Sequence, residues 1–226
     1  MNRKAFKADM KMISRDPIMI MLMLIPILMV ILVKIILCCA VSFFDFRPYY
    51  GYVLGLCLLI SPMMLGVVAG FLMIDEKDGK IFELISITPI GYLGYIIHRL
   101  ILPFVGSIIY TILIYFMLDI YMLEIGILLY LIVMIAIESL LIGVILFVFA
   151  DDKVKGLTYS KGLSVFIVLS MSDLFNKQWL SIVAGILPFY WIVKTIHNPR
   201  SDVIFLTLLV HLFWLCIAVK KVVKMN

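Results

Sequence analysis

From Pro17 onward the chain alternates long apolar runs with short charged breaks, and the length of each run decides what it forms. A helix needs about 20 mostly apolar residues to cross a hydrocarbon core about 30 Å thick. Residues 17–37, 51–74, 100–118 and 125–150 meet that requirement. The later runs are shorter: 162–176 carries Asp173, 179–193 holds Pro188, and 203–219 lies near the lower limit. Six or seven crossings fit this pattern. With 179–193 as an interfacial or re-entrant piece there are six; Trp179, Phe189, Tyr190 and Trp191 favour an interfacial position, because amphipathic rings collect at headgroup level. The reading adopted is an all-α membrane protein with six transmembrane helices.

Two polar segments carry their own periodicity. In residues 1–16, Arg3, Lys7, Lys11 and Arg15 recur every four positions beside a stripe of Phe6, Met10 and Ile13. That pattern predicts an amphipathic helix on the inner leaflet, with its cations on anionic lipid; a plain topogenic basic tail is the alternative. Asp16 and Pro17 mark the break before the first span. The loop 75–99 opens with Asp75, Glu76, Lys77, Asp78, Lys80 and Glu83, interrupted by Gly79. Ile81, Phe82, Leu84 and Ile85 then recur at helical spacing until Thr88 and Pro89. A short surface helix of this kind fits a groove on a soluble partner; the alternative is a solvated loop whose charges keep it out of lipid.

Composition agrees with the run lengths. Hydrophobic residues make up 65% of the chain and charged residues 15%, and the mean hydropathy is +1.21, which places the protein in the polytopic membrane class. The first run is too long for the apolar core of a signal peptide, so it is read as a retained span. In such a chain the net charge of +5 speaks to topology rather than to nucleic acid. With six crossings most Lys and Arg fall on the side of the N-terminus, leaving Arg47, Lys177, Lys194 and Arg200 opposite. That bias predicts a multi-pass plasma-membrane protein with both termini cytosolic. Lys34 would lie at the outer end of the first span, its stem snorkelling. The tail is balanced, since a seventh crossing exchanges Lys220, Lys221 and Lys224 for Lys194 and Arg200.

Few residues suggest chemistry. Glu138 lies in the middle of the fourth span, where an ionisable group is costly unless paired, protonated or hydrated. It is a candidate for substrate contact, or for a structural hydrogen bond to Ser139, Ser107, Thr111 or Tyr110. Pro26, Pro62 and Pro103 predict kinks within spans. Cys38, Cys39, Cys57 and Cys216 form no CxxC pair and read as small buried hydrophobes. His98, His197 and His211 have no metal-ligand spacing, and no nucleophile elbow or phosphate-binding GxxxxGK loop is present. The chain therefore carries no catalytic, metal-binding or ATP-binding signature.

The basic helix ending in Arg15, Asp16 and Pro17, the loop Glu76, Lys77, Gly79, Leu84, Thr88, Pro89, and the late segment Leu187, Pro188, Tyr190, Trp191 together resemble the membrane-spanning subunit of a type-2 ABC transporter. The stretch from Val154, Gly156 and Leu157 through LPFYW most resembles the fluoroquinolone-export permeases. The chain departs from the pattern at His98 and Arg99, where relatives commonly carry a lysine, and at Asp173. The resemblance implies an N-terminal elbow helix, a cytosolic coupling helix and short outer helices before the last span. It also implies pairing with a second permease chain, identical or different, and with an ATP-binding cassette subunit. ATP and magnesium would then be bound by that partner, with no cofactor in this chain. Asp75, Glu76, Lys77, Asp78, Lys80, Phe82 and Glu83 would contact the ATPase, and Glu138, Ser107, Thr111 and Ser139 would line the substrate route. An ion channel or carrier, and a non-transporting immunity or sensor subunit of the same fold, are the competing functions.

Overall fold

The computed structural model describes residues 3–40, 44–79 and 91–224, and among them every regular element is helical. Helix α1 (Arg3–Ile13) leads into α2 (Pro17–Ala40). Asp16 caps α2, its Oδ1 accepting from the Ile18 N–H at 2.9 Å, and Pro17 begins the helix where a missing N–H costs nothing. The side chains of Arg3, Phe6 and Lys7 lie outside the described part, but on α1 Ile13 is buried while Lys11 is exposed.

A 3₁₀ turn at Arg47–Tyr49 opens α3 (Tyr50–Asp78), which is apolar all round and forms the core: 94% of its most apolar window is buried, against 22% for α2. Helices α4 (Gly91–Leu118) and α5 (Ile125–Phe149) pack on α3. The approach of α3 to α5 depends on two glycines. A Cβ on Gly66 would lie 2.7 Å from both Ile142 Cβ and the Ser139 carbonyl oxygen, and one on Gly70 would lie 2.8 Å from Leu146 Cβ. Small residues four apart let backbones come this close within a bilayer.

After α5 come α6 (Lys153–Leu169), a 3₁₀ turn at Ser172–Phe175, α7 (Gln178–Ala184), α8 (Pro188–His197) and α9 (Ser201–Val223). One end of the bundle gathers α1 and the end of α9. There Val222 packs with Met73, Tyr95 and Phe147, and the Lys221 ammonium lies 5.9 Å from the Phe149 ring. At the distal end Lys34 donates to the Met117 carbonyl at 2.6 Å, closing the last turn of α4 rather than only snorkelling. Tyr130 likewise donates to the Ile204 carbonyl at 2.7 Å. The chain thus runs between the two ends in α2, α3, α4, α5, α6 and α9. Five of these helices are individually long and apolar enough to span a membrane; α6, with 17 residues, is the shortest of the six.

The pair α7 and α8 meets at 119°. Its flanks sit at the distal end, where Ser181 donates to Asp173 at 2.7 Å and the rings of His197 and Tyr52 are 3.6 Å apart. Its turn reaches inward, since the Trp214 indole N–H donates to the Ile186 carbonyl at 2.9 Å. The pair is therefore a sharply bent hairpin with its flanks at the distal end and its turn inside the bundle.

Three segment limits differ from the sequence reading. The run expected at 162–176 belongs to a helix that starts at Lys153, because the Asp152 side chain accepts from the Lys155 N–H at 2.8 Å and caps it. Residues 91–99, expected in a loop, form the first turns of α4, and Asp75–Asp78 form the last turn of α3. Cys57 is buried as expected, but Cys38, Cys39 and Cys216 are exposed on apolar helices.

Candidate functional site

The last turn of α3 sends its charged side chains in different directions. Glu76 turns inward and is 5% exposed. Arg99 Nε donates to Glu76 Oε2 at 3.0 Å, Arg99 Nη2 reaches Glu76 Oε1, and the Tyr95 hydroxyl donates to Glu76 Oε2. The same guanidinium pairs through Nη1 with Asp9 of α1, which is 2% exposed. One arginine thus serves two buried carboxylates and ties α1, α3 and α4 together. Planar, always charged guanidinium suits this fork-like duty as lysine does not.

Asp75 faces the other way and pairs with Lys153 at 2.8 Å, and Lys153 also holds Asp16 at 2.6 Å. The bond from Lys153 keeps the Asp16 carboxyl below its ordinary value of 3.8 against the opposing effect of burial. Lys77 lies 3.6 Å from Asp151 and donates to the Ala150 carbonyl at 3.4 Å. Asp78 is exposed. Lys80, Phe82 and Glu83 lie outside the described residues.

Glu138, midway along α5, is 1% exposed. Its Oε2 stands 3.3 Å from His211 Nε2 on α9, at ion-pair distance but without hydrogen-bond alignment. The other imidazole nitrogen, Nδ1, lies 2.7 Å from the Thr207 carbonyl. A carbonyl only accepts, so Nδ1 carries hydrogen and Nε2 is turned to the acid. A cavity of about 50 Å³ is lined by Glu138 together with Phe166, Phe189 and Trp214. The other residues expected on the route are placed apart from it. Ser139 bonds along its own helix to the Ala136 carbonyl at 2.7 Å. Ser107 and Thr111, one turn apart on α4, are buried with hydroxyls lacking a hydrogen-bond partner among the described residues, and no α4 residue lines the cavity.

The sequence reading missed Asp9, Tyr95, Arg99 and His211. A lone acid in a basic helix was a usable signal for Asp9. A histidine deep in an apolar run was one for His211, just as the carboxyl was for Glu138. Arg99 reads in the sequence as a topogenic charge and as a departure from the lysine of relatives, not as a partner of buried acids.

A family model, that of the fluoroquinolones export permease protein Rv2686c-like, matches residues 9–220. The chain belongs to this family. No curated protein and no solved structure matches it. The permease is accordingly a multi-pass membrane subunit of a transporter, and its family implies transport rather than catalysis. The matched stretch includes the Asp9–Arg99–Glu76 network and the Glu138–His211 pair.

Proposed function

We propose that the permease is the membrane-spanning subunit of an ABC exporter in the plasma membrane, with both termini cytosolic. A separate ATP-binding cassette subunit would bind ATP and magnesium, and a second permease chain, identical or different, would complete the pathway. The family's printed description makes fluoroquinolones the first cargo to test.

The observation that best supports this reading is the buried network at the end of the bundle that holds α1 and the end of α9. The charged last turn of α3, which leads into the segment 79–90, contains Glu76, and Arg99 joins Glu76 to Asp9. A push on that segment therefore reaches three helices at once. In this mechanism ATP binding in the partner stabilises one arrangement of the spans through differential contacts with the segment. Export follows if cargo binds the inward-facing arrangement more tightly. Asp78, Lys80, Phe82 and Glu83 would touch the ATPase, with Asp75 and Lys77 at the margin. Glu76 would act through Arg99.

The test replaces Asp78, Phe82 and Glu83 together with alanine, which leaves the buried network intact. In the assembled complex the variant should insert and bind cargo normally while losing cargo-stimulated ATP hydrolysis. Stimulation equal to that of the unaltered complex would overturn the coupling assignment.

A further inference from the structure

The Glu138 carboxylate has a setting that packing alone does not explain. Oε2 is buried and makes no hydrogen bond among the described residues. His211 is near at 3.3 Å yet poorly aligned. Glu138 itself lines a cavity walled by Phe166, Phe189 and Trp214. An ionised carboxylate only accepts, and a buried one requires a compensating cation. His211, near but misaligned, does not complete that compensation in this arrangement. A ligand ammonium would supply it with better geometry, donating N–H directly to Oε2, and aromatic walls attract cations further.

From this geometry we infer that Glu138 is the recognition point for a protonated amine, and that the permease takes amine-bearing amphiphiles as cargo. The cavity, about 50 Å³, holds the ammonium head; the apolar remainder of the ligand lies along the surrounding leucine, isoleucine and aromatic surface. Alcohols and amides fit the same space, but they bring a donor without a charge and leave the carboxylate uncompensated. The inference rests on the transport reading above, and its test is a binding measurement on the permease alone.

The probe is dansylcadaverine, a fluorescent primary amine, with its N-acetylated amide as the neutral counterpart, titrated by fluorescence anisotropy into the full chain in detergent. The amine should bind saturably and at least about tenfold more tightly than the amide, as expected for one charge-assisted hydrogen bond. Glu138→Gln should abolish that preference and leave amide binding unchanged. His211→Gln should retain it, since the carboxylate itself makes the contact with the ligand. Labelling of Glu138 in the unaltered chain with dicyclohexylcarbodiimide, mapped by mass spectrometry, covers the case in which Glu138→Gln does not fold: the amine should protect the residue and the amide should not. Equal affinity for amine and amide, or amine-insensitive labelling, would overturn the inference without touching the exporter reading. Glu138-dependent amine binding in a complex that performs no ATP-driven efflux would have the opposite meaning, leaving the amine site standing and removing the exporter.

Discussion

At the scale of residues, the strongest dependence is on Arg99. Its side chain is 11% exposed and faces two carboxylates that are nearly inaccessible. Removing the shared cation leaves both acids buried and uncompensated, a loss of about 3–5 kcal/mol. Arg99→Met should lower the thermal midpoint in detergent markedly, and Arg99→Lys should recover only part, because an ammonium cannot span both acids in the same fork. An unchanged midpoint for Arg99→Met would show that the network is not what holds this end closed. Asp16 gives a pH signature. Its folded pKa is depressed, so its contribution to stability is complete above the ordinary value of 3.8 and is lost as pH falls through the lower folded value. Unfolding followed by tryptophan fluorescence should therefore show an acid-side decline below that value that Asp16→Asn makes shallower. None of these partnerships was visible locally. Arg99 meets its acids across separations of 90 and 23 residues, and His211 and Glu138 come from different helices. Burial was legible for Glu138 from its apolar surroundings, but the identity of its neighbour was not.

At the scale of elements, the long helices were readable because run length alone distinguishes a span from a loop, as α2, α3 and α5 illustrate. The starts of α4 and α6 were not. Arg99 and Lys153 look like loop residues until Asp9, Glu76, Asp16 and Asp75 are seen to neutralise them. The glycine seam of α3 was overlooked for a different reason: GVVAG at 66–70 is apolar like its surroundings, and only the approach of α5 gives it meaning. Gly66→Ala places a methyl against the backbone at Ser139 and should cost about 1–3 kcal/mol by overpacking. Gly126→Ala meets nothing within 4 Å and should be neutral or mildly stabilising. Equal thermal midpoints for the two alanine variants would remove the seam as the determinant of helix spacing.

For the whole molecule, the decisive quantity is sidedness. Helix α1 and the end of α9 share one end of the bundle, and the proposed topology sets that end in the cytosol, as the charge bias predicts. A cysteine at Asp78 in a background without the native cysteines should react with a membrane-impermeant maleimide only after the cell is opened. A cysteine at Phe175, which is 62% exposed at the distal end, should react in intact cells. The reverse pattern would invert the topology and with it the coupling proposal. The shared guanidinium also bears on how the assembly senses its surroundings. Because the corner it forms includes the first helix, a stroke delivered by the proposed partner would not stay inside the bundle but would pass into α1. With α1 on the inner leaflet, as its basic stripe predicts, part of that stroke would be taken up by the membrane surface, and the stiffness and charge of the surrounding leaflet would become working components of the machine.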